Sequence, residues 1–223
     1  MNLLKLQTIK ESLIILSNYY LGKEPNQKEI KEINKIGQRL IESYQDINED
    51  LLREIHKLCD IDIPYQRYSS FWKYIGYQNE NPASDIRGGG LLSLDNLIYL
   101  LKTHPKMAKK MLHKQSRDNL TVDNQMESYP WAAVGINITR YIATEFEIIE
   151  TSGRLKTSNF STKTTWSYLT QPDGFNRLYC LAFFLLNSVW HEMKATYMQF
   201  PKVFQEMKNQ FQYYLITSTS LSE

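Results

Sequence analysis

Apolar residues recur at steps of three and four along most of this chain, which is the spacing of one buried face of an α-helix. The first such run consists of Leu6, Ile9, Leu13, Leu16 and Tyr20. Glycine, proline and short polar stretches separate it from similar runs that follow, and the sequence lacks sustained alternation of apolar and polar residues. The pattern predicts an all-α globule of about nine helices that pack as antiparallel pairs.

Capping residues and prolines predict where these helices begin and end. Two helices are predicted around Ile30 to Tyr44 and Leu51 to Cys59. The expected side-chain caps are Asn48, Ser69 or Ser70, Ser93 and Asp173, and the expected first-turn prolines are Pro105, Pro130 and Pro201. The predicted connections are Gln115 to Ser128 and Thr151 to Thr165, and the predicted frayed tail is Thr217 to Glu223.

Length, charge and cysteine content narrow the class of protein. The 223 residues are 42% hydrophobic, enough for one substantial core, so we predict a single helical domain over residues 1–223. A formal net charge of +2, from 26 basic and 24 acidic residues, argues against a nucleic acid partner. Cys59 and Cys180 suit reduced core thiols in the cytoplasm. Lys5, Lys10 and Glu11 interrupt the apolar amino terminus, so we expect neither a signal peptide nor a membrane span there.

One loop between two apolar helical stretches concentrates residues that shape the backbone. Pro82 fixes one backbone angle, and Ser84 and Asp85 can form local hydrogen bonds. Three glycines at 88–90 permit left-handed or closely approached backbone. Such a loop can hold Arg87 outward without burying its charge, and Arg87 is therefore the leading candidate for a functional residue.

The same segment carries a specific resemblance to a known family. The matching residues are Trp72, Gly76, Gln78, Pro82, Asp85, Arg87, Gly88, Gly90, Leu94 and Leu97. In this order and spacing they resemble the signature of the ELMO domain, in its ELMOD-type branch. The stretches 129–139 and 175–200 are also similar to the family, so the resemblance covers roughly residues 50–212, preceded by N-terminal helices. Tyr77, Ser84 and Ile86 depart from the usual Phe, Thr and Phe.

The resemblance implies an all-helical GTPase-activating protein for an Arf-family or Arf-like small GTPase, with Arg87 essential to that activity. Such a protein acts on the GTPase of its partner and has no substrate site of its own. It needs no cofactor, because the partner supplies GTP and Mg²⁺. The alternative is a non-catalytic ELMO-type scaffold that binds a small GTPase or a Rac exchange factor. The scaffold branch lacks an arginine at this position, so Arg87 favours the activating branch.

The chemistry of GTP hydrolysis is consistent with such a role for Arg87. Charge spreads over the phosphoryl oxygens in the transition state, and a planar, permanently protonated guanidinium can bind two of them. The plainer alternative is that Arg87 forms a salt bridge that tethers its loop. Asp85 can pair with this guanidinium or accept backbone amides, and we favour the second role. Gln78 can orient water in a GTPase site, but we favour a structural hydrogen bond across the loop.

Trp72, Gly76, Gln78, Pro82, Asp85, Gly88 and Gly90 are therefore predicted to support the loop. The glycines 88–90 do not form a P-loop or a Rossmann fingerprint, and His191-Glu192 lacks the second histidine of a zinc helix because residue 195 is alanine. We expect neither a bound nucleotide nor a metal. A basic stripe is formed by Lys106, Lys109, Lys110, His113, Lys114 and Arg117. It is read either as a solvated helix face or as a peripheral contact with acidic lipid or an acidic protein.

Overall fold

A computed structural model describes residues 25–42, 49–115, 128–150, 155 and 164–217 of the chain. The α-helices of these residues are α1 (Gln27–Ile41), α2 (Glu49–Cys59), α3 (Ser70–Tyr74), α4 (Leu92–Thr103), α5 (Pro105–Gln115), α6 (Trp131–Glu145), α7 (Gly174–Glu192) and α8 (Phe200–Thr217). Short 3₁₀-helices cover Pro82–Ser84, Ile86–Gly88, Thr164–Thr170 and Tyr197–Gln199. Within these ranges the β contact is a single antiparallel bridge between Ile149 and Leu155. The predicted all-α fold is confirmed.

Several predictions fall on other parts of the chain. The first predicted helix, residue Tyr44 and the cap Asn48 lie outside the described residues. So do residues 116–127 of the first predicted connection, most of the second, and the tail after Thr217. No described helix is both long enough and apolar enough to cross a membrane.

Helix α4 lies at the centre of the molecule. It packs against α1, α2, α5, α6 and α7. Eight of its twelve residues are buried, namely Leu92, Ser93, Leu94, Asn96, Leu97, Ile98, Leu100 and Leu101. A helix that buries residues on nearly every side must be covered on every side. The core therefore forms around α4, which begins just after the loop that carries Arg87.

A buried polar pair joins α4 to α6. The side-chain amide of Asn96 donates to the Thr139 hydroxyl oxygen at 2.9 Å, and that hydroxyl donates to the Gly135 carbonyl at 3.1 Å. Both side chains are fully buried. Because a buried polar group is costly unless it is hydrogen-bonded, the pair favours one register between the two helices. The loop with Arg87 borders both of them.

Three predicted side-chain caps are wrong. Ser69 precedes α3, but its hydroxyl makes no capping bond, and its main-chain carbonyl accepts from the Trp72 amide instead. Ser93 lies inside α4, where its hydroxyl donates to the Gly90 carbonyl at 2.8 Å. Asp173 precedes α7 with a φ of 54°, outside the extended conformation that a side-chain cap requires. Main-chain geometry, which the local sequence does not show, decided all three.

The predicted core thiols are confirmed, and large aromatic residues share their core. Cys59 and Cys180 are buried and free, and burial raises the pKa of each thiol to about 12. Trp166, Tyr168, Phe183 and Trp190 belong to the core, whereas Phe184 is half-buried. Leu185 of α7 is also only half-buried.

Candidate functional site

The loop that carries Arg87 begins where α3 ends. The Tyr77 amide donates to the Trp72 carbonyl and the Gly76 amide to the Lys73 carbonyl, which together form a Schellman motif. Gly76 has a φ of 99°, and a Cβ there would lie 2.4 Å from the Trp131 nitrogen. Glycine is therefore required both for the left-handed turn and for close contact with α6.

The same turn caps α6. The Ala132 amide donates to the Ile75 carbonyl at 3.0 Å, and the Ala133 amide donates to the Gly76 carbonyl at 3.3 Å. Pro130, the residue before α6, makes no side-chain cap. Carbonyls of the loop thus satisfy amides that the first turn of a helix leaves free, and the loop is fixed to α6 through its main chain.

Trp72 anchors the loop to the core. Its side chain is fully buried, and its indole nitrogen donates to the carbonyls of Gln66 and Arg67 at 3.2 and 3.1 Å. Tyr77 packs edge-on against it with ring centroids 5.7 Å apart. Burial raises the pKa of the Tyr77 hydroxyl above its usual range.

Asp85 links the two ends of the loop. One carboxylate oxygen accepts from the Gln78 main-chain amide at 2.6 Å, and the other accepts from the Ser84 hydroxyl at 3.0 Å. The Asn81 side chain accepts from the Ala83 amide at the start of the buried Pro82 turn. Asp85 thus accepts an amide, the favoured of its two expected interactions, and it forms no ion pair with Arg87.

Gln78 contributes to the loop through its main chain, not its side chain. The hydrogen bond expected across the loop is made by the Gln78 amide N–H, which any residue other than proline would offer. Its side chain is exposed and makes no hydrogen bond with a described residue. The expected structural hydrogen bond across the loop is therefore present, but it depends on the main chain of residue 78 and not on the glutamine side chain.

Arg87 follows a buried residue and is itself exposed. Ile86 is 1% exposed, and its carbonyl accepts from the amides of Gly89 and Gly90 at 3.0 and 2.8 Å. With the part of the chain that the structure describes, Arg87 makes neither a hydrogen bond nor a salt bridge. A tethering salt bridge is therefore absent from these residues. The guanidinium projects from a turn whose neighbouring side chain and main chain are fixed.

Gly90 and Gly88 differ in how strictly the structure requires glycine at each position. Gly90 has a φ of 56°, and a Cβ there would lie 1.9 Å from the Leu40 carbonyl oxygen. Gly88 has no positive φ, and a Cβ would meet the Ile136 side chain at 3.3 Å. Of these two glycines, only Gly90 therefore combines left-handed backbone with close backbone contact, although the sequence predicts the same freedom for both.

Comparison with known proteins identifies the family. The sequence pattern of the ELMO/CED-12 family matches residues 31–204. The chain belongs to this family. It is 32% identical over 92% of its length to ELMO domain-containing protein C of Dictyostelium discoideum, and 30% identical over 64% of its length to ELMO domain-containing protein A of the same organism. It is also 30% identical over 62% of its length to mouse Engulfment and cell motility protein 3.

The aligned regions are only part of these ELMO/CED-12 proteins. The chain covers 34% of ELMO domain-containing protein C, 16% of ELMO domain-containing protein A and 18% of Engulfment and cell motility protein 3. It thus spans at most about a third of these curated relatives, and the similarity concerns this region alone.

A second arginine of this ELMO/CED-12 chain lies beside the loop and was missed in the sequence. The Arg39 guanidinium donates to both Asp95 carboxylate oxygens, at 2.5 and 2.9 Å, and to Glu42 at 2.6 Å. These hydrogen bonds, above all those to Asp95, raise the pKa of Arg39 above its usual range. Arg39 and Asp95 are 56 positions apart, so local sequence carries no signal for the pair.

Only part of the predicted basic stripe is available for contact with an acidic surface. Lys109 forms a salt bridge with Asp60 at 2.8 Å, which lowers the pKa of the Asp60 carboxyl. Lys106, Lys110 and His113 are exposed on α5, beside Met107, whose exposed fraction is 47%. The Lys114 side chain and all of Arg117 lie outside the described residues.

Proposed function

We propose that this chain is a GTPase-activating protein for an Arf-family or Arf-like small GTPase, and that Arg87 is its arginine finger. The observation that carries the proposal is an exposed arginine, without a partner among the described residues, on a loop that is otherwise closely hydrogen-bonded. The ELMOD-type resemblance supplies the partner class, and the partner supplies GTP and Mg²⁺. The chain itself would hold no cofactor.

Arg87 would act on charge that develops during hydrolysis. Its guanidinium would offer planar N–H groups to oxygens of the transferred phosphoryl group. An arginine finger contributes about 10³ to 10⁵ in rate, which is roughly 4 to 7 kcal/mol of transition-state stabilisation. One residue of this kind is sufficient to account for an activating function.

The rigidity of the loop supports this role. The Schellman turn at Gly76, the Asp85 carboxylate and the buried Ile86 side chain each restrain the backbone that leads to Arg87. An arginine on a restrained backbone loses less conformational entropy when it enters a partner's active site. The Arg87 side chain can still change rotamer, so the fold restrains its backbone and leaves the position of the guanidinium adjustable.

The reaction would take place in the cytoplasm, on a GTPase that can itself be held at a membrane. The exposed Lys106 and Lys110 of α5 are available for peripheral contact with an acidic surface. The rival function remains a non-catalytic scaffold for a small GTPase or a Rac exchange factor. It would use the same surface for docking without any effect on the rate of hydrolysis.

Single-turnover GTP hydrolysis separates the two functions. A panel of GTP-loaded Arf-family, Arf-like and Rac-type GTPases is mixed with excess protein, and the rates are compared with those of the GTPases alone. We expect stimulation of at least one Arf-family or Arf-like member and its loss in Arg87→Ala, while equilibrium binding changes much less. Equal stimulation by Arg87→Ala would contradict the finger, and binding without stimulation would favour the scaffold.

A further inference from the structure

A groove of about 630 Å³ opens beside the loop of Arg87. The loop forms one wall, which includes Gln78, and α6 forms the opposite wall, which includes Asn137. The third side is closed by Tyr197, in the turn before α8, and by Phe200, the first residue of that helix. The groove is thus formed by three segments that are far apart in sequence, and neither the motif nor the helix pattern predicts it.

The groove is continuous with the base of Arg87. Gln78, in its wall, donates its main-chain amide to the Asp85 carboxylate at 2.6 Å, and Asp85 begins the turn that carries Arg87. On the other side, Asn137 follows Ile136, whose side chain lies against Gly88. A protein that receives Arg87 in its active site would therefore lie over this groove as well.

The charges of the groove indicate what it would bind. Among the described residues, Lys73 is the single charged residue of the lining, and it is paired with Glu80 at 3.4 Å. Gln78 and Asn137 are exposed carboxamides that make no side-chain hydrogen bond with a described residue. A carboxamide offers a donor and an acceptor, which is the complement of a peptide group. The groove therefore suits neutral polypeptide and is poorly suited to a phosphate or a nucleotide.

Apolar side chains lie beside the two carboxamides of the groove. Tyr74 and Phe200 line it, and Tyr197 is 60% exposed at its edge. Met198, the next residue, is 85% exposed. Tyrosine, phenylalanine and methionine are enriched in protein interfaces, where they supply contact area. These residues give the groove a place for apolar side chains between its two carboxamides.

We propose that this groove binds an extended, uncharged segment of the GTP-loaded GTPase, an inference that rests on the proposed function. The segment's peptide groups pair with Gln78 and Asn137, and its apolar side chains pack against Tyr197 and Phe200. The groove supplies affinity and selects the partner, while Arg87 supplies the rate. Binding energy that is equal in the ground state and the transition state changes the half-saturating concentration and leaves the maximal rate unchanged.

The test is a titration of single-turnover hydrolysis with four proteins. These are the parent, the double variant Gln78→Ala with Asn137→Ala, Tyr197→Ala, and the control Tyr213→Ala. Tyr213 is 65% exposed, close to the 60% of Tyr197, but lies 13 residues after Phe200 on α8, about 20 Å along the helix axis. We expect the half-saturating concentration to rise about tenfold in the two groove variants and less than twofold in Tyr213→Ala. The maximal rate should stay within about twofold in all of them.

The outcomes separate the groove from the finger. Stimulation in the parent with unchanged half-saturation in both groove variants overturns the groove proposal and leaves Arg87 untouched. Binding of a GTP-loaded partner without stimulation overturns the proposed function. In that case, the same variants are compared by equilibrium binding, and a loss of binding in the groove variants alone supports the groove.

A groove variant that dimerises less than the parent, with unchanged partner binding, would assign the groove to a second copy and overturn the proposal. If no GTPase of the panel binds or responds, both proposals are overturned.

Discussion

Arg39 and Arg87 lie on segments that touch, yet their guanidinium groups have opposite surroundings. Arg39 donates to the carboxylates of Asp95 and Glu42, and its side chain is 32% exposed. Arg87 is exposed and makes no hydrogen bond or salt bridge within the described ranges. The two segments meet where the Gly90 backbone packs on the end of α1. One arginine stabilises this junction, and the other is available to a partner.

The difference shows how a fold can separate structural from functional charge. A guanidinium with several carboxylate hydrogen bonds must give them up before it can bind a phosphoryl oxygen, and charge-assisted hydrogen bonds are strong. Arg87 has no such competitor among the described side chains, although Asp85 is only two residues away. The Asp85 carboxylate is occupied by the Gln78 amide and the Ser84 hydroxyl instead. The loop thus uses its nearest acid to fix its backbone and leaves its arginine without a partner among the described residues.

The largest expected effect is on the rate of hydrolysis and distinguishes the two arginines directly. In Arg87→Lys, the maximal stimulated rate should fall about 10³-fold, because an ammonium cannot form two parallel hydrogen bonds to phosphoryl oxygens. The free energy of unfolding should change by less than about 0.5 kcal/mol, because the side chain is exposed. Single-turnover kinetics and urea denaturation measure the two quantities. A lysine variant with the rate of the parent would show that a point charge alone is sufficient for stimulated hydrolysis.

The next largest effect concerns the junction between the loop and α1. Gly90→Ala should lower the free energy of unfolding by about 3 kcal/mol or more, because it combines positive φ with a backbone clash against Leu40. Gly88→Ala is the matched control and should cost less than about 1 kcal/mol, since only the Ile136 side chain must shift. Chemical denaturation of both variants measures the difference. Equal losses would contradict the asymmetry between the two glycines.

A smaller effect is expected from the acid that holds the loop. Asp85→Ala removes a charged acceptor from the Gln78 amide and should destabilise the protein by about 2 kcal/mol. Stimulated hydrolysis should fall as well, because the turn before Arg87 loses its restraint. Asp85→Asn retains one acceptor oxygen and should recover part of both losses. If Asp85→Ala had full activity and stability, the hydrogen bond to Gln78 would be dispensable.

The smallest effect is on the structural arginine. Arg39→Lys should lower the free energy of unfolding by about 1 kcal/mol, because lysine keeps the charge and loses the two-point pairing with Asp95. About a third of each partner's side chain is exposed, and contact with solvent limits the size of this loss. Stimulated hydrolysis at saturation should stay near that of the parent. A loss of activity comparable to that in Arg87→Lys would end the proposed division between the two residues.

The sequence alone was sufficient for the fold class, for most helices and for the loop that carries Arg87. Helical periodicity is a local property, and it correctly predicted α1 and α2, while Pro105 and Pro130 correctly indicated α5 and α6. The motif spacing also included Gly76, which the tight turn after α3 requires. These predictions succeeded because neighbouring residues determine them.

Tertiary structure alone decided what surrounds each functional group. The Arg39 and Asp95 pair, the carbonyls that cap α6, and the groove between Gln78 and Asn137 all join segments that are distant in the chain. The distinction between Gly88 and Gly90 likewise depends on Leu40 and Ile136, which lie outside the loop. Local patterns specify which residues form a helix or a turn, but hydrogen bonding and burial depend on which segments pack together. Whether an arginine is paired or free is therefore a property of the folded chain.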